Sequence, residues 1–256
     1  MLTHVYLSPH LDDAVLSCGG MIHRQAQAGE RVVVVTVCAG DPPPGPLSEF
    51  ARSLHERWGL EAGPVAAARR AEDLSALDVV GAEAVHLHIP DCIYRADSAG
   101  WHPYASEQAI FGELHPAESK LARRVAEKIS GLARGFGRCH LYAPLGLGRH
   151  VDHQLTRRAA EMAGNVYAYF EDYPYAAKET AAEGDPLTRL TDGRPLSPET
   201  VALTEADLAA KTQAVARYAS QLSSFWADVA EMEAALRQFA GRAGGGALAE
   251  RLWRLR

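Results

Sequence analysis

Cysteine is scarce: Cys18, Cys38, Cys92 and Cys139 are the only four in 256 residues, and no two form a Cys-x-x-Cys pair. Neither a thiolate zinc knuckle nor a disulfide framework is indicated, and the thiols are expected to be reduced. Long apolar runs are missing as well. The longest, Val32 to Val35 and on through Thr36 to Ala39, is strand-sized and far short of a membrane span. The opening MLTHVYLSPHLDDAV has no basic region followed by an apolar one, so no secretory signal is expected and the compartment reads as cytoplasmic. Positive charge is outnumbered, with 26 Lys and Arg against 32 Asp and Glu and a net charge of −6. That balance argues against nucleic acid or an anionic membrane as partner, because both need a positive field. No internal repeat is found.

What is present is a globular balance. The chain is 47% hydrophobic and 23% charged, which excludes disordered and fibrous classes. Apolar runs alternate with helical patterns. Strands are expected at His4–Ser8, Arg31–Cys38, Ala84–Ile89, Cys139–Ala143 and Val166–Phe170. Helices are expected at Asp13–Ala28, Leu47–Trp58, Val65–Val80, Pro116–Arg134 and Val151–Ala163. The nearly unbroken β-branched run RVVVVTVC reads as a strand covered on both faces. This alternation predicts a Rossmann-like α/β fold: a mostly parallel sheet, strand order about 3-2-1-4-5, with helices on both faces. A single domain over 1–256 is expected, with a core at about 1–170 and a loop wall plus C-terminal helices over 171–256. Two helical patterns are read in Glu205–Phe239, then a flexible joint at Gly241–Gly246 and a short basic tail.

In that strand order, strands one and four meet where the winding reverses, and ligands of open α/β sheets bind beyond strand C-termini at such a place. The polar segments that follow those two strands are SPHLDD (Ser8 to Asp13) and GRHVDH (Gly148 to His153). His10 and Asp13 are three apart at a strand-to-helix turn, as are His150 and His153, a spacing that can point both members to one side. Two histidines and a carboxylate suit Zn²⁺ and leave positions open for water and substrate. Asp12 would lie beside the ion, where it could take a proton. The plainer reading is helix capping by Asp12 and Asp13 together with a chance His-x-x-His.

With SPHLDDAVLSCGG followed much later by GRHVDH, the chain resembles the PIG-L/LmbE-like N-acetylglucosaminyl deacetylase family. Arg69-Arg70-Ala71-Glu72 and Pro90-Asp91 fit it more weakly, and the likeness covers about the first 170 residues. The resemblance implies a zinc-dependent amidohydrolase that removes an acetyl group from an N-acetylated amino sugar or its conjugate. It implies His10, Asp13 and His153 as zinc ligands, with Fe²⁺ or Co²⁺ also suited to them, and Asp12 as general base. His150 would stabilise the oxyanion or protonate the leaving amine, with Asp152 orienting it and favouring its imidazolium form. Arg69, preferred over Arg70, and Asp91 would contact the sugar. A structural ion pair or loop cap is the competing reading of both.

Several positions depart from the family pattern. Leu11 and Val151 stand where Pro is usual, Val15 replaces a frequent Glu, and Cys92 a frequent Gly. Some members carry a Tyr at the position of Gly148, so any catalytic tyrosine must come from elsewhere; Tyr142, Tyr173 and Tyr175 are the candidates. His86 and His88 alternate in a strand and are expected under a helix or loop. His102, His115, Trp101 and Tyr104 sit in the irregular stretch Asp91–His115, which with Glu171–Thr200 reads as cleft wall. Glu171–Tyr175 reads equally as a subunit contact, which would imply a homo-oligomer. Gly19-Gly20 is expected to let its helix approach the sheet.

Three rival readings stand beside this one. A nucleotide-binding Rossmann protein needs a Gly-rich turn after strand one, and here two carboxylates at the helix start would repel phosphate. A zinc amidase acting on another amide, such as a thiol-sugar conjugate, would share the metal site. A non-catalytic sugar-binding relative is disfavoured because all six metal and acid/base positions are filled.

Overall fold

A computed structural model describes residues 2–60, 65–97, 99–178 and 195–255; residues 179–194 of the second irregular stretch lie outside them. The chain runs β1 (Thr3–Ser8), α1 (Asp13–Gln27), β2 (Arg31–Thr36), α2 (Glu49–Arg57), α3 (Val65–Val80), β3 (Glu83–His86), α4 (Glu107–Ile110), α5 (Ser119–Phe136), β4 (Cys139–Pro144), α6 (Val151–Ala163) and β5 (Val166–Phe170). It continues through α7 (Tyr175–Lys178), β6 (Leu196–Ala202), α8 (Glu205–Val215), α9 (Ala219–Phe225), α10 (Val229–Ala243) and β7 (Ala249–Leu255).

Among the described residues the sheet has seven strands in the order β3-β2-β1-β4-β5-β7-β6. The first five are parallel and follow the expected order, with β1 between β2 and β4. Alternate residues of β2 explain why it carries no polar face. Val33 and Val35 belong to the core under α5 and α6, whereas Val32 and Val34 belong to the opposite core, under α1, α3 and the C-terminal helices. A strand buried on both sides needs apolar residues on both sides.

The C-terminal part differs from the expectation. It holds three helices rather than two, and the basic tail is a strand: β7 pairs antiparallel with β5 (Tyr169 opposite Trp253) and along its length with β6. Gly245 and Gly246, at φ +63° and +110°, form the turn that sends α10 back into β7. The alternation that would reveal this strand is masked by a charge, since Glu250 is buried. Its carboxylate accepts from Lys211 Nζ at 2.7 Å and from the backbone N–H groups of Gly20 and Met21 at 3.1 and 2.8 Å. That pairing also explains Gly19-Gly20. A Cβ on Gly19 would meet Lys211 Cγ at 2.9 Å, and one on Gly20 would meet Leu203 Cδ1 at 2.6 Å, so α1 makes its close approach to the C-terminal unit.

β3 ends at His86, three residues before the expected end, although isolated bridges continue the pairing from Cys38 to His88 and Gly40 to Pro90. His86 is covered and binds Asp73 at 2.7 Å, and Asp73 also accepts from Tyr218 Oη at 2.8 Å. His88, by contrast, is exposed. Among the described residues no helix is long and apolar enough to cross a membrane.

Candidate active site

The turn after β1 and the turn after β4 face each other at the reversal of winding. Ser8, the last residue of β1, donates to the carbonyl of His10 at 2.6 Å and accepts from the N–H of Ala14 at 3.0 Å, which folds the intervening residues into a tight loop. His10, Asp12 and Asp13 are thereby presented at the start of α1. On the other side, His150 caps α6, its Nδ1 accepting from the backbone N–H of Asp152 at 3.2 Å. His10 and His150 meet edge to face with ring centroids 4.8 Å apart, and His10 and His153 lie 5.6 Å apart.

Two imidazoles converge on one oxygen. Asp13 Oδ2 lies 3.1 Å from His10 Nδ1 and 3.3 Å from His153 Nε2. The other nitrogen of each ring is backed by a carboxylate: His10 Nε2 by Asp152 Oδ2 at 3.1 Å, and His153 Nδ1 by Asp172 Oδ1 at 2.6 Å. Backing of this kind fixes the tautomer and orientation of metal-binding histidines. Donors held about 2.0–2.1 Å from a tetrahedral ion sit about 3.3 Å from one another, which matches these spacings. His153 Nε2 is buried and without a hydrogen-bond partner, a polar atom left aimed at the place an ion would take. The donors therefore fit a divalent cation. His10, His150 and His153 also bring one nitrogen each within 4.8 Å of one another.

Two groups that sequence reasoning missed complete the frame. Asp172 follows β5 directly and holds, besides His153, the N–H groups of Gly146 and Leu147 at 2.7 and 3.0 Å. Its place after a strand C-terminus was the one available signal. Arg95 had none. It is buried, with Nη1 2.6 Å from Asp152 Oδ1 and Nη2 2.8 Å from Glu118 Oε2. Asp152 is thus held by Arg95 and by the N–H of Cys92 at 2.9 Å while its carboxylate faces His10. It meets His150 through its backbone.

Arg69, not Arg70, reaches the site. Its guanidinium lies 3.8 Å from Asp12 and 3.9 Å from Asp91, with the ring of Trp58 5.0 Å away, whereas Arg70 turns outward to Ala39 O and Asp41. Asp91 does two things at once. Oδ1 accepts from Ile93 N–H at 3.2 Å, while Oδ2 lies 3.7 Å from His10 Nε2. Of the three tyrosines, Tyr142 stacks on Tyr6 and Tyr173 packs on Phe239, but Tyr175 lines the cleft with its ring 5.5 Å from that of His153. Gly148 explains the exchange. A Cβ there would fall 2.5 Å from Tyr175 Cγ, so the ring from the later segment covers the position at which the family resemblance leads us to look for a tyrosine.

Burial and mutual charge set the protonation states. Burial and the neighbouring Asp13 raise Asp12 to about 7, against the opposing pull of Arg69 and His10. Burial also opposes ionisation of Asp13, yet the charges and hydrogen bonds of His153 and His10 outweigh it and hold its carboxyl well below the usual range. The surroundings of His150 oppose the expected imidazolium form. Desolvation and the charge of His10 push it well below the ordinary imidazole value, and Asp152 does not compensate. With Nδ1 accepting from the Asp152 N–H, Nε2 is the nitrogen left to carry a proton. The cleft encloses about 220 Å³, and beside its polar groups it is lined by Phe50, Leu54, Trp58, Ile110, Phe111 and Phe225, with the exposed Arg57, Glu107 and Lys178.

Comparison with known proteins gives this arrangement its relatives. The family described as PIG-L: GlcNAc-PI de-N-acetylase matches residues 5–163, more than half of the chain. The chain belongs to the PIG-L family. The matched span carries both turns but not Asp172 or Tyr175. Two curated relatives are 2'-N-acetylparomamine deacetylases, from Niallia circulans (26% identical, 67% of this chain and 66% of that protein) and Streptomyces fradiae (28% identical, 73% and 62%). The chain thus spans just under two thirds of the length of these relatives. The crystal structure of the zinc-inhibited form of the teicoplanin deacetylase Orf2 superposes with a TM-score of 0.85 at 30% identity, covering 99% of this chain and 98% of that one.

Proposed function

We propose that this PIG-L family chain is a divalent-cation-dependent hydrolase of amide C–N bonds, removing acetyl from an N-acetylated amino sugar carried in a larger conjugate. The observation that carries this reading is the meeting of two carboxylate-backed imidazoles on Asp13 Oδ2, directly beside the ionisable Asp12. The deacetylase activities in the names of the relatives support it. The aromatic side chains in the lining, Phe50, Trp58, Phe111 and Phe225, give the aglycone of a conjugate apolar surface to cover.

His10, Asp13 and His153 are assigned as the ligands, with zinc as the cation and Fe²⁺ or Co²⁺ served by the same donors. When bound, the cation supplies a positive charge that polarises the acetyl carbonyl and makes water more acidic. Asp12, with a carboxyl near neutrality, accepts a proton from the attacking water and delivers it to the departing amine. His150 donates Nε2–H to the carbonyl oxygen as charge develops there, its ring fixed by the Asp152 N–H on Nδ1. Arg69 donates to sugar hydroxyls, and Asp91 accepts from them through Oδ2. A cytoplasmic location belongs to the same reading, and the four free cysteines support it.

The test combines elemental analysis with acetate release from N-acetylglucosaminides. Wild type should hold about one cation per chain, Asp13→Ala should hold none, and Asp12→Asn should keep the cation while losing about 10²–10⁴-fold in turnover. A cation-free wild type after incubation with Zn²⁺, or an Asp12→Asn variant of near-normal turnover, would overturn it.

A further inference from the structure

A larger cleft, of about 890 Å³, lies on the other side of the segment that carries Asp91. The two cavities share no lining residue. Asp91 and Ile93 face the candidate active site, whereas Pro90, Tyr94 and Arg95 face the second cleft. One wall of this cleft is α5, which presents Lys120, Arg124 and Lys128 at four-residue intervals, about 6 Å apart along the helix. All three are exposed, and none forms an ion pair with any of the described residues. The lining also includes Trp101, 56% exposed, with the edge of His115 against it at 5.6 Å.

The acidic groups of the cleft are already engaged. Glu118 is bound by Arg95, and Asp97 Oδ1 accepts from the N–H groups of Ala99 and Trp101, which fixes the loop that presents the indole. The row of three cations is left without a counter-charge in a chain whose net charge is −6. Like charges spaced by one helical turn repel, so a row left unpaired along a concave wall is a standing site for an anion with more than one charge. An exposed indole in the lining of the same cleft adds a platform for a flat ring.

We propose that this second cleft binds a small ligand that joins a diphosphate to a planar ring, the chemistry of a nucleoside diphosphate. The diphosphate lies along Lys120, Arg124 and Lys128, and the base stacks on Trp101. The proposal does not depend on the deacetylase reading, because neither the three cations nor Trp101 lines the candidate active site.

Calorimetric titration of the zinc-loaded protein with pyrophosphate, uridine, UDP and ADP tests it. Pyrophosphate and both nucleotides should bind, more weakly as salt rises, and uridine alone should not. The K120E/R124E/K128E variant, altered only at exposed positions, should weaken all three at least about tenfold while acetate release is unchanged. Trp101→Ala should weaken UDP and ADP about tenfold yet leave pyrophosphate within about twofold, since stacking is lost and charge is not. Absence of binding in wild type would overturn the proposal. So would binding undiminished in the charge-reversed variant, which would place the anion at the metal centre.

Discussion

The ring of His153 is held between two carboxylates, with Asp172 Oδ1 2.6 Å from Nδ1 and Asp13 Oδ2 3.3 Å from Nε2. The shorter contact decides the tautomer: a proton on Nδ1 bonded to Asp172 leaves the Nε2 lone pair free for a cation. Asp172→Asn keeps the size of the side chain but weakens that constraint. The variant should bind zinc about 10–100-fold more weakly, as read by competition with a chelator of known affinity. Affinity equal to wild type would show that the protein holds His153 without Asp172.

Arg95 acts on the same centre from the other side, through Asp152 and then His10. Arg95→Met leaves Asp152 and Glu118 as buried charges without their partner, and should lower the unfolding free energy by about 3–5 kcal/mol. Arg95→Lys restores a charge but not the two-armed geometry. It should recover most of the stability yet retain zinc less well than wild type. Thermal unfolding and metal content measured on the same samples separate the two effects.

Gly148 sits at φ +75° with the ring of Tyr175 where a side chain would go. Gly148→Ala meets both the steric cost of that backbone conformation and a contact near 2.5 Å, so the tyrosine must move. A loss of about 1–2 kcal/mol is expected from the backbone alone. Turnover should fall with it because Tyr175 lines the cleft. If turnover is unaffected at a temperature where the variant is folded, the placement of Tyr175 is unimportant to the reaction.

Away from both clefts, Asp207 closes a reciprocal cap with Thr204 at the start of α8 and also binds His23 at 2.8 Å. Burial opposes its ionisation, but the Thr204 and His23 bonds outweigh burial and lower its pKa. A carboxyl depressed in the folded state contributes stability above its unfolded value, about 3.9, and loses that contribution as pH falls through the folded value. Asp207→Asn should therefore cost about 1 kcal/mol near neutrality, and the difference from wild type should shrink below about pH 4. Denaturant titrations of the two proteins at pH 7 and pH 3 measure it. A pH-independent difference would assign the effect to the lost cap alone.

Much of this is legible in the sequence. The run from Arg31 to Cys38 announces a doubly covered strand because burial on both faces demands apolar residues at every position. His10, Asp12, Asp13, His150 and His153 stand out because strand C-termini at a winding reversal are where an α/β sheet leaves room for ligands. The C-terminal strand was not legible. Glu250 breaks its alternation, and its burial makes sense only once Lys211 of α8 and the N–H groups of α1 surround it.

The sequence by itself determined the parallel half of the sheet and the side chains that meet at its centre, because local patterning and the order of strands suffice for both. Only the tertiary structure decided how those side chains are held. Asp172 and Tyr175 reach the centre from the segment after β5 and Arg95 from the segment after β3, and Asp152 turns its carboxylate to His10 while meeting His150 through its backbone. Contacts between residues distant in sequence leave no local period to read, since they are fixed by where packed elements come to rest.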